Sequence, residues 1–178
     1  MDERDEGLIG FLMRERHGTP FEHNAFRFHV RAPIFVMREW IRHRVGSFNE
    51  LSGRYAKIDD AFYVPALEDV RTQVGKPGAY TFESMPMDLA ETTRTAIETS
   101  YRASYAAYEA MLADGIAKEV ARSVLPVGIM TEFYWTLNAR SLMNFLSLRN
   151  QEHAQREIRR YAEAVEALFE TRMPITHR

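Results

Sequence analysis

A chain of 178 residues is long enough for one domain with a sizeable core. Its 46% hydrophobic and 27% charged residues are ordinary for a globular protein, and a net charge of -2 lacks the basic surface that nonspecific nucleic-acid binding needs. Cysteine is absent, which excludes a disulfide framework, a thiolate zinc site and a cysteine nucleophile.

Asp2 to Arg16 is predicted to be a helix with Leu8, Phe11 and Leu12 on one face, broken by His17 to Pro20. The charged start Met1-Asp2-Glu3-Arg4-Asp5-Glu6 is no signal peptide, and no apolar run approaches a membrane span, so the expected location is the cytoplasm. Phe26, Phe28 and Val30 alternate with Arg27, His29 and Arg31, the pattern of a half-buried strand with a solvated His29. Pro33 suits the first position of a helix running to about Arg44, on which Arg38 and Glu39 read as a solvated face. Phe62-Tyr63-Val64-Pro65 is a short extended piece. Residues 66–86, with Gly75, Pro77, Gly78 and Pro86, are predicted to form a loop.

Met87 to Ala113 is a long helix with Ala90, Ile97, Tyr101, Tyr105, Tyr108 and Leu112 at helical spacing, and Gly115 fits its C-terminal cap. The three tyrosines are expected in a core or interface. Lys118 to Ser123 is a short helix, Ile129 to Leu137 a strand, and Glu152 to Glu170 the last helix, with Ile158, Ala162, Val165 and Phe169 inward. Between the last two, Asn138 is a fitting N-cap for a helix to Leu148 that is apolar nearly all round and so predicted to be buried. Arg140 and Asn144 share one of its faces, and Asn138 and Arg149 another. Buried polar groups on two faces need partners, which a ligand on each side or a subunit interface would supply. The whole reads as an α+β fold, a single domain with an antiparallel sheet packed against helices.

The densest concentration of chemistry is Arg42-His43-Arg44-Val45-Gly46-Ser47-Phe48-Asn49-Glu50-Leu51-Ser52-Gly53-Arg54-Tyr55. Two arginines at a helix end suit dipole compensation. The hydroxyls, amide, carboxylate and third arginine that follow suit instead a polyanionic ligand with a hydrogen-bonding ring, such as a nucleotide. No Gly-rich phosphate loop is present, so side-chain arginines and helix N-termini would hold any phosphates. Ser52 and His43 do not form a nucleophile pair, because no acid is placed to orient the histidine. His17, His23, His29, His43 and His153 show no zinc spacing, and no metal site is expected.

This segment resembles the signature of the flavin-dependent thymidylate synthases: Arg-His-Arg, two residues, Ser, one residue, Asn or a similar polar residue, Glu or Gln, one residue, Ser, one residue, Arg, Tyr. Every fixed position is met. His17-Gly18-Thr19-Pro20-Phe21-Glu22-His23 resembles the family's upstream segment. Val120-Ala121-Arg122, Asn138 to Leu146, and Arg149 with His153-Ala154-Gln155 resemble its downstream ones. The resemblance implies a methyltransferase that makes dTMP from dUMP, with methylene-tetrahydrofolate as one-carbon donor and NADPH-reduced FAD as reductant, in a homotetramer with shared active sites. It places Glu39, Trp40, Ile41, Arg42, Glu50, Leu51, Ser52, Gly53, Arg54, Arg122 and Arg149 at dUMP. It places His17, Thr19, Arg42, His43, Arg44, Glu50, Asn138, Ala139, Arg140 and Asn144 at FAD. Arg149 is implied to be catalytic, favouring ionisation at N3 of the pyrimidine. Where some relatives have Gln, position 39 is Glu, which accepts but does not donate when ionised. Measured against the family pattern, the chain is expected to lack a leading strand, with a serine that contacts FAD, and to end early at Arg178. The alternatives are a truncated, catalytically inactive nucleotide- or flavin-binding module, and a structural helical protein.

Overall fold

The computed structural model describes residues 3–177. In chain order the elements are α1 (Glu3–Arg14), β1 (Phe26–Pro33), α2 (Ile34–Trp40), β2 (Ser47–Glu50), β3 (Arg71–Lys76), β4 (Ala79–Ser84), α3 (Met87–Ala113), α4 (Lys118–Ala121), β5 (Met130–Leu137), α5 (Ala139–Arg149), α6 (Arg156–Arg172) and α7 (Pro174–His177). The α+β expectation holds. One sheet has the strand order β1-β5-β2 and a second pairs β3 with β4. The predicted helical position at Asp2 lies outside the described residues. The residues group into two compact units.

The first unit takes residues 3–32, 36–50 and 132–177. Its core grows from the alternation of β1 and β5. Phe133, Trp135 and Leu137 of β5 are buried, as is Val30 of β1. Trp40, at the end of α2, is wholly buried, stacked on Phe145 at 5.1 Å and edge-on to Trp135 and Phe133 at 5.3 and 5.5 Å. Ile158, Ala162, Val165 and Phe169 of α6 are buried, as their spacing predicts. β2 runs antiparallel to β5, pairing Phe48 with Trp135 and Glu50 with Phe133. α1 ends at Arg14, and two residues on Arg16 has a φ of 58°, the left-handed cap conformation. The Arg16 N–H donates to Met13 O at 3.1 Å and the His17 N–H to Leu12 O at 2.9 Å, while the His17 ring stacks on Phe11 at 6.0 Å. The helix end thereby fixes the direction of the His17-Gly18-Thr19 segment.

The second unit takes residues 33–35 and 51–131. Tyr105 and Tyr108 of α3 and Ala121 of α4 form its core, with Ile58, Phe62, Met111 and Leu112 against them. The tyrosine hydroxyls are satisfied by one residue, Tyr105 Oη donating to Ile58 O at 3.0 Å and Tyr108 Oη accepting from Ile58 N at 3.1 Å. Tyr101 stacks on Phe62 at 4.6 Å. Gly115 caps α3 at φ +80°.

Several expectations are corrected. Residues 66–86 are not a plain loop: after a 3-10 turn at Leu67–Asp69 they form the β3–β4 hairpin around Pro77-Gly78. Eleven of the twelve strand residues are exposed, so no buried face stamps an apolar pattern on the sequence. α2 stops at Trp40, four residues before Arg44, and tightens into Arg42 N–Glu39 O and His43 N–Trp40 O bonds of 3.3 and 3.0 Å. α6 starts at Arg156 rather than Glu152. α5 is not buried all round: Leu142, Phe145 and Leu146 are, whereas Arg140, Asn144, Ser147 and Leu148 are exposed. His29 is exposed but engaged, 3.2 Å from a Glu132 carboxylate oxygen and stacked on Tyr134 at 5.0 Å.

Candidate active site

The implied site residues fall into three local groups. The first sits at the C-terminal end of α5. Arg149 Nε donates to His43 Nε2 at 3.0 Å, Nη1 to the Glu39 carboxylate at 3.3 Å and Nη2 to the Glu39 carbonyl at 3.3 Å. Glu39 is therefore no solvated helix face. The Glu39 carbonyl lies in the tightened last turn of α2, where it also accepts from Arg42 N at 3.3 Å, and a guanidinium suits that end of the dipole. Burial pushes the Glu39 carboxyl above its ordinary range, Arg149 pulls it down, and Glu157 of α6 adds to the rise. Burial and then the Arg149 charge hold the His43 imidazole below its usual value. His43 stands edge-on to Phe145, ring centres 4.9 Å apart. A guanidinium has five N–H donors, so these three bonds leave two for a ligand.

The second group lies at the N-terminal end of α5. Asn138 is the N-cap, its Oδ1 accepting from Ser141 N at 2.9 Å. Asn24 Oδ1 accepts from Ala139 N at 2.7 Å, so two of the helix's orphan donors are met by side chains. Arg140 pairs with Glu22 and lies over Gly18, where a Cβ would come within 2.8 Å of its guanidinium carbon. A Cβ at position 18 would push the flexible Arg140 side chain aside, so the contact ties Arg140 to the segment carrying His17 and Thr19, both exposed. Glu22 and Asn24 escaped the sequence reading, because a lone carboxylate or amide in a turn carries no signal of its distant partner. With a rise of about 1.5 Å per residue, the first and second groups stand roughly 15 Å apart along α5.

The third group belongs to the second unit, so the signature is divided: Arg42 to Glu50 falls in one unit and Leu51 to Tyr55 in the other. Ser52 Oγ accepts from Arg54 N at 3.3 Å, and Ser52 O from Tyr55 N and Ala56 N at 3.0 and 3.1 Å. This tight turn is held by Arg54 Nε on Glu119 at 3.1 Å. Gly53 is buried beneath it, where a Cβ would sit 2.6 Å from Ile58 Cδ1 and 3.4 Å from Arg122 Cδ. The turn and Arg122 are thus neighbours.

The Trp40 indole belongs to the core, so a nucleotide contact at that position would come from its backbone. Ile41, Glu50 and Leu51 are exposed. Arg42, Arg44 and Arg122 are exposed and have no ion-pair partner among the described residues. Uncommitted guanidiniums are the donor type that phosphates and a flavin ring require, so these residue types fit such a ligand.

A model of the family described as thymidylate synthase complementing protein matches residues 1–175. The flavin-dependent thymidylate synthase of Streptomyces coelicolor is 51% identical, covering 98% of this chain and 74% of that protein. The chain belongs to the flavin-dependent thymidylate synthase family. The flavin-dependent thymidylate synthase of Thermosipho africanus is 48% identical over 98% of this chain and 75% of its own. Among solved structures of this fold, the UMP/dUMP methylase PolB from Streptomyces cacaoi bound with 5-Br UMP superposes with a TM-score of 0.93 at 45% identity. That likeness covers 97% of this chain and 80% of that one. Among the described residues, no helix is long and apolar enough to cross a membrane.

Proposed function

We propose that this member of the flavin-dependent thymidylate synthase family converts dUMP to dTMP in the cytoplasm. Methylene-tetrahydrofolate is the one-carbon donor, FAD the cofactor and NADPH the reductant. The observation that carries the reading is Arg149, a half-buried guanidinium fixed by His43 and Glu39 with two N–H groups left over. The uracil ring must become electron-rich before its C5 attacks the methylene carbon. A cation held beside the ring stabilises the charge that develops, and does so without reorganising at that moment. The chain has no cysteine to add to the ring, so activation through Arg149 suits this chemistry.

The Ser52-Gly53-Arg54 turn with Arg122 would contact the nucleotide, as would Glu39, Trp40, Ile41, Arg42, Glu50 and Leu51. His17, Thr19, Arg42, His43, Arg44, Glu50, Asn138, Ala139, Arg140 and Asn144 would hold FAD. Bound and reduced, the flavin supplies the reducing equivalents that turn a methylene into a methyl group. A homotetramer with shared sites is part of the proposal. It is supported by the separation of Arg149 from the Asn138–Arg140 group along α5, and by the exposed face of Arg140, Asn144, Ser147 and Leu148 between them.

Flavin uptake tests this directly. Equilibrium dialysis of the purified protein against FAD should give stoichiometric binding and a flavin visible spectrum. Absence of uptake by the assembled protein would sink the reading.

A further inference from the structure

We infer that His43 is a positioning residue for Arg149: its unprotonated Nε2 holds the guanidinium in place, and proton uptake by His43 releases it. This rests on the reading of Arg149 as the group that activates the pyrimidine. Arg149 Nε carries a proton in every accessible state, so a nitrogen 3.0 Å away must be an acceptor. His43 therefore carries its proton on Nδ1, which remains available to a ligand. The edge contact with Phe145 at 4.9 Å fixes the ring in that attitude.

Glu39 grips the two terminal nitrogens at 3.3 Å each, and His43 grips Nε at 3.0 Å. The histidine bond is the shorter one, and the one whose acceptor disappears on protonation. The charges around it are Arg149 on α5, Glu39 on α2 beyond the guanidinium, and Glu157 on α6, which acts on Glu39. Burial and Arg149 both disfavour the imidazolium, so His43 is neutral at pH 7. In acid, Nε2 becomes a donor facing a donor, two like charges meet, and Arg149 is left with Glu39 alone. The direction is an acid limb: positioning is complete above the ordinary histidine range and lost as pH falls through the depressed value.

The test is kcat at saturating dUMP from about pH 5 to 8, for FAD-loaded wild type, His43→Gln and His43→Phe. The nucleotide phosphate titrates near pH 6 and moves KM in every variant alike, so kcat is the readout. Wild-type kcat should fall towards tenfold per pH unit below the His43 pKa, the slope of one proton. His43→Gln keeps an acceptor for Nε but takes up no proton, and should lose that limb. His43→Phe should lose about ten- to a hundredfold at every pH, as a misplaced catalytic group does. The same acid limb in His43→Gln, or wild-type kcat in His43→Phe, would overturn the inference. A second measurement needs no folded His43 variant: the ¹⁵N resonance of Arg149 Nε in the wild-type holoenzyme should titrate together with His43. A resonance that stays constant while Arg149→Ala is inactive overturns the His43 role alone, whereas an active Arg149→Ala overturns the reading of Arg149 beneath it.

Discussion

Replacing Asn138 by alanine removes the acceptor of the first turn of α5, the helix that carries Arg140, Asn144 and Arg149. The lost bond is the 2.9 Å contact from Ser141 N to Asn138 Oδ1. N-cap truncations cost about 0.5–2 kcal/mol. Ser141 is half-buried rather than fully buried, so its orphaned N–H still reaches water, and about 1 kcal/mol is the expected loss. For a chain of this size that lowers the melting temperature by about 2–4 °C. Asn138→Asp keeps an acceptor in the same place and sets a negative charge at the positive end of the helix dipole, so it should stay within about 0.5 kcal/mol of wild type. Calorimetric melts of the flavin-free protein measure both. A neutral Asn138→Ala, or an Asn138→Asp as unstable as the alanine variant, would refute the capping role. The pair also separates cap from ligand: Asn138→Asp should retain stability yet bind FAD more weakly, because a carboxylate repels the flavin's phosphates and cannot donate.

Arg149→Ala should lower dTMP formation about a hundredfold or more while a folded, FAD-loaded protein is retained; near-wild-type turnover would exclude a role in ring activation. Arg149→Ala and Arg122→Ala, each inactive alone, should recover partial activity when mixed and allowed to exchange subunits, and no recovery would contradict shared sites. Glu39, with its carboxyl raised by burial, holds extra protons in the folded state, so its contribution is complete below the ordinary glutamate range and is lost as pH rises through the raised value. Melting Glu39→Gln beside wild type should therefore show the variant gaining relative stability between about pH 4 and 8; a relative loss over that range would reverse the sign assigned here.

Much of the fold was legible because burial imprints itself on sequence. Phe133, Trp135 and Leu137 alternate, Tyr105 and Tyr108 keep helical spacing, and both Asn138 and Gly115 mark real helix ends. The β3–β4 hairpin was hidden because its faces are solvated, so Val74, Tyr80 and Phe82 show no buried partner pattern and Pro77-Gly78 reads as loop. β2 was hidden inside the signature, because Phe48 is the lone apolar residue among its four. The polar residues of α5 read as buried in the sequence because periodicity cannot distinguish a face covered by its own chain from one left exposed. The site itself was legible as a set of residues but not as an arrangement. Spacing cannot show that Arg149 meets His43 and Glu39 across more than a hundred positions, nor that the Arg140 guanidinium lies over Gly18.

The most direct measurement of the central claim is product formation. The purified protein is incubated with dUMP, methylene-tetrahydrofolate, FAD and NADPH, each omitted in turn, and the nucleotides are separated by chromatography. The account predicts dTMP only in the complete mixture. A complete mixture that leaves dUMP unchanged, with FAD bound and the protein folded, would contradict it.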